Sequence, residues 1–323
     1  MRLRVLRSTE TLEEVVSDSL PAPFRRLTVA TVVASLVLVG IGGAVRATDS
    51  GLACPTWPGC FSAGDFVPPA DLAVWLEHTH RLVAGIVALM IAGQLGWALA
   101  RFRGRPEIVW SAVLASALVI VQALLGAVVV LLQLRAELVT AHLGLAMALV
   151  GVLLYLAVAA TSPLRPGALA KAAWIVAGIT YLQILVGGHT SGVGSGLAYV
   201  DQPLLGVFAV GPINGEAAAF NVLHRVLAVV VLAGVMVLAA RARRAGAAGW
   251  LARLPRIAAW LVALQIVLGV ANLASGLSFV FVIPHLMVAS WLWAVLVLEA
   301  LLASRLPAPA PGEVERPVVG ATP

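Results

Sequence analysis

Four histidines, His80, His142, His224 and His285, are the residues of this sequence best suited to hold a metal, and they fall into two pairs. A neutral imidazole gives one ring nitrogen to a metal and keeps the other for a hydrogen bond. Two imidazoles from two helices are the simplest way to give an iron porphyrin both axial ligands, and a helical bundle has room for such a planar group between its helices. His80 with His142, and His224 with His285, are accordingly read as two heme-coordinating pairs. The competing reading makes each a buried hydrogen-bonding or helix-packing residue, and duplication of both positions favours the ligands. Zinc fits less well: His78 and His80 are two apart and point to different helix faces, and no His-Glu-x-x-His pattern occurs.

The surroundings of the two pairs differ. Glu77 stands three residues before His80 and shares its helix face, whereas Asn221 holds that place before His224. A carboxylate beside a bound macrocycle is placed to accept a proton or to stabilise developing positive charge; its plainer role is to pair with Arg81 or a nearby histidine. Arg81 and Arg225 each follow a ligand candidate directly and are read as partners for heme propionates, against simple interfacial snorkelling. The only two cysteines, Cys54 and Cys60, bracket Pro-Thr-Trp-Pro-Gly ahead of the first pair, while the matching stretch of the second half has Tyr199 and no cysteine. Outside a membrane such a pair reads as a disulfide or a redox couple, and the spacing is not Cys-x-x-Cys, so a structural staple stays equally open. His78 and His189 receive no role.

The elements that carry these residues follow from composition. Of 323 residues 61% are apolar and 11% charged, and the mean hydropathy is +1.01; a water-soluble domain carries about a quarter charged residues. Apolar runs of membrane-crossing length predict helices at 27–45, 72–100, 108–134, 138–160, 170–188, 217–240, 257–276 and 279–303. The net charge of +6 is not gathered on one face for nucleic acid, because 17 of the 21 basic residues lie on the side of the two termini and the even-numbered connections. Only Arg46, Arg81, Arg135 and Arg225 belong to the other side. The positive-inside tendency then places both termini in the cytoplasm and the 46–71 and 189–216 loops outside a cell (plasma) membrane. Residues 1–24 carry Arg2, Arg4, Arg7 and four acids without an apolar stretch of leader length, and the Pro-rich tail reads as disordered.

The halves repeat at an offset of 143 to 145 residues: Gly42-Gly43 as Gly187-Gly188, Gly51-Leu52-Ala53 as Gly196-Leu197-Ala198, His80-Arg81 as His224-Arg225, and Gln122, Gly126 and His142 as Gln265, Gly269 and His285. Four helices per copy is an even number, so both copies enter the membrane in the same direction. The fold class expected is an all-α polytopic membrane protein of eight transmembrane helices, built as two tandem parallel four-helix bundles related by a pseudo-twofold axis. The divisions are a cytoplasmic segment 1–26, a catalytic half 27–161, a linker 162–171, a heme-holding half 172–304 and a tail 305–323.

Together these residues resemble the heme A synthase family. The likeness rests on Gly42-Gly43 with Val45-Arg46 and Thr48, on Ser50-Gly51-Leu52 and the Cys54–Cys60 loop with Trp57-Pro58, on Glu77-x-x-His80-Arg81, and on His142, Gly188, His224-Arg225 and His285, from Val37 to Trp293. The resemblance implies oxidation of the C8 methyl of heme O to a formyl group, with oxygen from water, to make heme A for terminal oxidases. It implies that His80 and His142 flank the substrate heme, that His224 and His285 ligate a heme b cofactor, that Glu77 is the catalytic acid, and that Cys54 and Cys60 match the outer-loop cysteines of one class. Heme O synthase and an electron acceptor of unassigned identity are the partners it implies, beside the lipid bilayer. Two other classes compete. An electron-transfer membrane cytochrome with two bis-His b hemes explains the histidines but not an acid and a dicysteine loop in one half only; a secondary transporter explains the repeat but not polar groups gathered toward the outer ends.

Overall fold

In the computed structural model the described residues are 20–54, 56, 60, 70–158, 167–199 and 215–305, and within them the chain forms eight helices and no strand. They are α1 (Ala22–Ala47), α2 (Leu72–Arg101), α3 (Pro106–Leu131), α4 (Ala136–Val158), α5 (Ala168–Gly192), α6 (Gly215–Arg244), α7 (Gly249–Ala274) and α8 (Phe279–Ala303). All eight are long and apolar enough to cross a bilayer. At 1.5 Å per residue even the shortest, of 23 residues, exceeds the ~30 Å hydrocarbon core. Leu89, Trp110 and Trp260 project from them with more than two thirds of their surface uncovered, as suits lipid-facing positions of a multi-pass membrane protein. The expectations for Arg2, Arg4, Arg7, Trp57, Pro58, Arg165, Arg316 and the tail beyond Arg305 fall outside the described residues.

Several helices run past the ends expected from hydropathy. α1 starts at Ala22, within the stretch assigned to the amino-terminal segment, because Pro21 suits a helix start and Phe24 is fully buried against Trp97 and Phe102. α7 starts at Gly249 rather than 257, carrying Pro255 inside it. α3 stops at Leu131 because Gln133 and Leu134 adopt positive φ; Gly276 and Leu277 do the same after α7. These left-handed turns reverse the chain within four residues, so α3 and α4, and likewise α7 and α8, pack side by side.

The packing order positions the site. α1 packs on α2, α2 on α3, α3 on α4 and α4 on α1; the same succession closes through α5, α6, α7 and α8. In each group the second and fourth helices lie diagonally across the ring. The two groups meet through α1 with α8, α4 with α5, and α4 with α8. Glycine permits that approach: a Cβ at Gly43 would stand 2.7 Å from Leu286 Cδ2, and one at Gly188 would stand 3.1 Å from Leu143 Cδ2. Tyr181 Oη donates to the carbonyl of Gly144 at 2.9 Å, tying α5 to α4.

Candidate functional site

The histidines expected to act in pairs all lie in the first three turns of an even-numbered helix. His80 is the ninth residue of α2, His142 the seventh of α4, His224 the tenth of α6 and His285 the seventh of α8. Each therefore sits roughly 9 to 14 Å along its helix from the same side of the bundle. α2 and α4, and likewise α6 and α8, lie across their rings from each other, and the rings of His224 and His285 approach across theirs.

Every one of the four imidazoles rests on a glycine of the preceding helix. A Cβ would come within 3.1 Å of His80 Cε1 at Gly42, 3.1 Å of His142 Cε1 at Gly126, 2.7 Å of His224 Cε1 at Gly187 and 3.4 Å of His285 Cε1 at Gly269. Gly126 and Gly269, which the sequence repeat singled out, admit the ring itself. At Gly42, Gly126 and Gly187 the ring's Nδ1 lies nearer the glycine than Nε2 does. In all four histidines Nδ1 is covered and lacks a hydrogen-bond partner among the described residues. The cradle thus leaves Nε2 as the nitrogen to present to a ligand.

The centroids of His224 and His285 are 6.4 Å apart, with the rings tilted by 60°. Two metal–nitrogen bonds of ~2 Å, plus roughly 1 Å from each bonding nitrogen to its ring centre, require ~6 Å. The observed separation fits one metal between the two rings. Among the described residues there is no cluster of three or more histidine, cysteine or carboxylate side chains able to hold a metal ion alone. A metal brought with its own equatorial ligands, as in heme, fits this donor set.

Glutamines add a second tie. Gln122 Nε2 donates to the main-chain carbonyl of His142 at 3.0 Å, and Gln183 Nε2 to that of His224 at 2.9 Å. The repeat pointed to Gln122 and Gln265 but passed over Gln183. Its signal was its position four residues before Gly187, as Gln122 stands before Gly126.

Around the first pair the structure joins the asymmetric residues into one latch. Cys54 and Cys60 form a disulfide, buried against Val74. The Cys54 N–H donates to Glu77 Oε2 at 2.7 Å, while Arg81 donates to Glu77 Oε1 and to the carbonyl of Thr56. Glu77 is 3% exposed, and its two carboxyl oxygens are met by an N–H and a guanidinium. The plainer role weighed for Glu77, a partner for Arg81, is present in the geometry. In the second half Asn221 Nδ2 donates to the carbonyls of Ser195 and Gly196, and Arg225 to those of Ala198 and Tyr199. The loop is anchored in both halves, but only the first anchor is a carboxylate.

The remaining arginines of this side are also tied down, Arg46 to Asp49 at 3.1 Å and Arg135 to Glu137 at 3.6 Å. His78 meets Trp75 edge to face, and His189 packs on Phe220 with centroids 4.2 Å apart and lies 3.5 Å from Glu216. Neither joins a pair.

Comparison with known sequences covers the same region. The sequence model of the COX15-CtaA family, described as cytochrome oxidase assembly protein, matches residues 25–74 and 69–297. Heme A synthase of Lysinibacillus sphaericus is 30% identical over 97 residues, 30% of this chain and 32% of that protein. Heme A synthase of Geobacillus kaustophilus is 34% identical over 88 residues, 27% of each chain, and that of Shouchella clausii 36% identical over 104 residues, 31% of this chain and 33% of the relative. The aligned stretches span a third or less of these relatives' lengths.

Proposed function

The chain belongs to the COX15-CtaA family of cytochrome oxidase assembly proteins, and from that premise we propose that it is a heme A synthase, oxidising the C8 methyl of heme O to a formyl group. The observation that carries this reading is the contrast between two otherwise matching sites. Both halves seat two imidazoles on glycines, but among the described residues only the first sets a buried carboxylate, tied to a disulfide-closed loop, one turn before its leading histidine. In this reading His80 and His142 hold the substrate, and His224 and His285 hold heme b, which supplies a one-electron carrier. The two four-helix halves, 27–161 and 172–304, divide these tasks. Their like order of packing supports a pseudo-twofold relation between them.

The substrate loses two electrons and a proton at C8, and water adds to the resulting cation to give the hydroxymethyl group. A second such round gives a geminal diol, which loses water to become the aldehyde. Glu77, fixed by Arg81 and the Cys54 N–H, stands on the helix face of His80 as the group to stabilise that cation or to take a proton from the attacking water. Arg81 and Arg225 each carry five guanidinium N–H groups, enough to serve loop carbonyls and a propionate together. Heme b, which His224 and His285 would hold, would supply the one-electron carrier toward an acceptor; heme O would come from heme O synthase and heme A would go to terminal oxidases. The basic-residue bias supports a plasma-membrane setting with cytoplasmic termini and this site toward the outer face.

The test is to supply heme O to membranes containing the protein and separate the extracted pigments. Hydroxylated and formyl hemes are expected from the wild type and none from Glu77→Ala. Unchanged heme O with two bound hemes would instead make the protein an electron-transfer b cytochrome, and a protein without a Soret band would remove the heme reading altogether.

A further inference from the structure

We propose that the residue one helical turn before each cradling glycine decides whether a heme ligand is held or released, and that Leu38 makes His80 the releasable ligand of the four. The inference rests on the heme-ligand reading above.

Four residues before Gly126, Gly187 and Gly269 stand Gln122, Gln183 and Gln265; four residues before Gly42 stands Leu38. Gln122 and Gln183 each reach across to the neighbouring helix and donate to the main-chain carbonyl of the ligand histidine itself. At Gly126 and Gly187 the glycine thus lets the ring approach, and the glutamine one turn before it fixes the turn that carries the ring. An imidazole can leave a metal only if its ring swings or its helical turn shifts. Where the turn is clamped, the shift must break an amide–carbonyl bond away from water, where such bonds are strongest.

Leu38 brings no donor to His80 and packs instead with the apolar core. Among the described residues His80 is accordingly held by Gly42 and by its own helix, while its partner His142 keeps a clamp. A site with one firm and one loose ligand can load and discharge a heme through the loose side. A clamped His224, with its ring seated on Gly187, retains its heme. That division matches a protein that must exchange its substrate at each turnover and keep its cofactor. Leu38 and Gln183 are positioning residues, acting through the histidines they leave free or fix.

The experiment uses the full-length protein carrying heme O in the first site and heme b in the second, with Leu38→Gln and Gln183→Leu as reciprocal variants. The reduced protein is exposed to carbon monoxide, which binds only where an axial ligand yields, and heme loss to excess apomyoglobin is timed. Chromatography identifies the heme that has left. In the wild type, heme O is expected to bind carbon monoxide and to leave at least tenfold faster than heme b. Leu38→Gln is expected to slow heme O loss severalfold and suppress its carbon monoxide difference spectrum. Gln183→Leu is expected to make heme b reactive toward carbon monoxide and to speed its loss severalfold. A change in overall packing alone would not exchange which heme reacts. If Leu38→Gln fails to accumulate, Gln183→Leu decides by itself. Heme b as inert in that variant as in wild type, or heme O released from Leu38→Gln at the wild-type rate, overturns the proposal while leaving the heme reading intact. A wild type that binds no heme overturns both.

Discussion

The cradling glycines make a graded steric series. Carbon atoms in ordinary contact lie ~3.5 to 4.0 Å apart. Alanine at Gly187 would place its Cβ 2.7 Å from His224 Cε1 and 3.1 Å from Nδ1, so the ring must retreat by about 0.8 Å or more. A ligand held to iron by a ~2 Å bond does not follow such a shift, since constellations of this kind tolerate about 0.5 Å. At Gly269 the added carbon would be 3.4 Å from the ring, close to an ordinary contact, and at Gly42 and Gly126 it would be 3.1 Å. The helices should not suffer, because alanine is the better helix former by about 1 kcal/mol. Gly187→Ala is therefore expected to fold and lose most of its heme b, Gly269→Ala to keep nearly all of it, and Gly42→Ala and Gly126→Ala to weaken heme O binding to an intermediate degree. The assay is a pyridine hemochrome ratio of heme to protein with chromatographic identification, beside circular dichroism for helix content. Full heme b in Gly187→Ala, or a greater loss in Gly269→Ala than in Gly187→Ala, would refute the cradle argument.

His224→Ala should abolish bound heme b while His80→Ala spares it, read from the same pigment extracts; equal loss from both variants would contradict the division of sites. Glu77→Gln keeps an oxygen for the Cys54 N–H but removes the charge facing Arg81, so it should bind both hemes and convert no heme O; conversion at the wild-type rate would show that the latch is structural only. Tyr181→Phe removes the hydroxyl that bonds Gly144 across α5 and α4 and should lower stability by about 1 kcal/mol without altering the visible spectrum, as thermal denaturation followed at the Soret band will test. Glu299 is fully buried in α8, and neither carboxyl oxygen has a hydrogen-bond partner among the described residues. Glu299→Gln, which keeps the shape and removes the ionisable group, should leave the melting temperature unchanged or raise it, whereas a marked drop would mean that the carboxyl has a partner.

The sequence by itself determined the number and type of the helices, because a bilayer admits only long apolar segments whose backbone bonds are satisfied internally, and such segments are visible in composition. It also picked out the four histidines and the unmatched Glu77 and cysteines, since duplication makes polar positions in apolar helices stand out at a fixed offset. Helix ends were less legible: α7 carries Pro255 within it, and α3 ends where two residues take left-handed backbone, features that hydropathy does not record. Only the tertiary structure decided what each polar residue touches. Gly42-Gly43 recurs as one repeated pair, yet its first glycine faces His80 in its own half and its second faces Leu286, beside His285, in the other. Arg81 turned to Glu77 and the loop, and Gln183 proved to be tied to His224 from 41 residues away. Periodicity assigns a residue to a helix face; which neighbour meets that face depends on how eight helices close into rings, and that is settled by contacts between residues far apart in the chain.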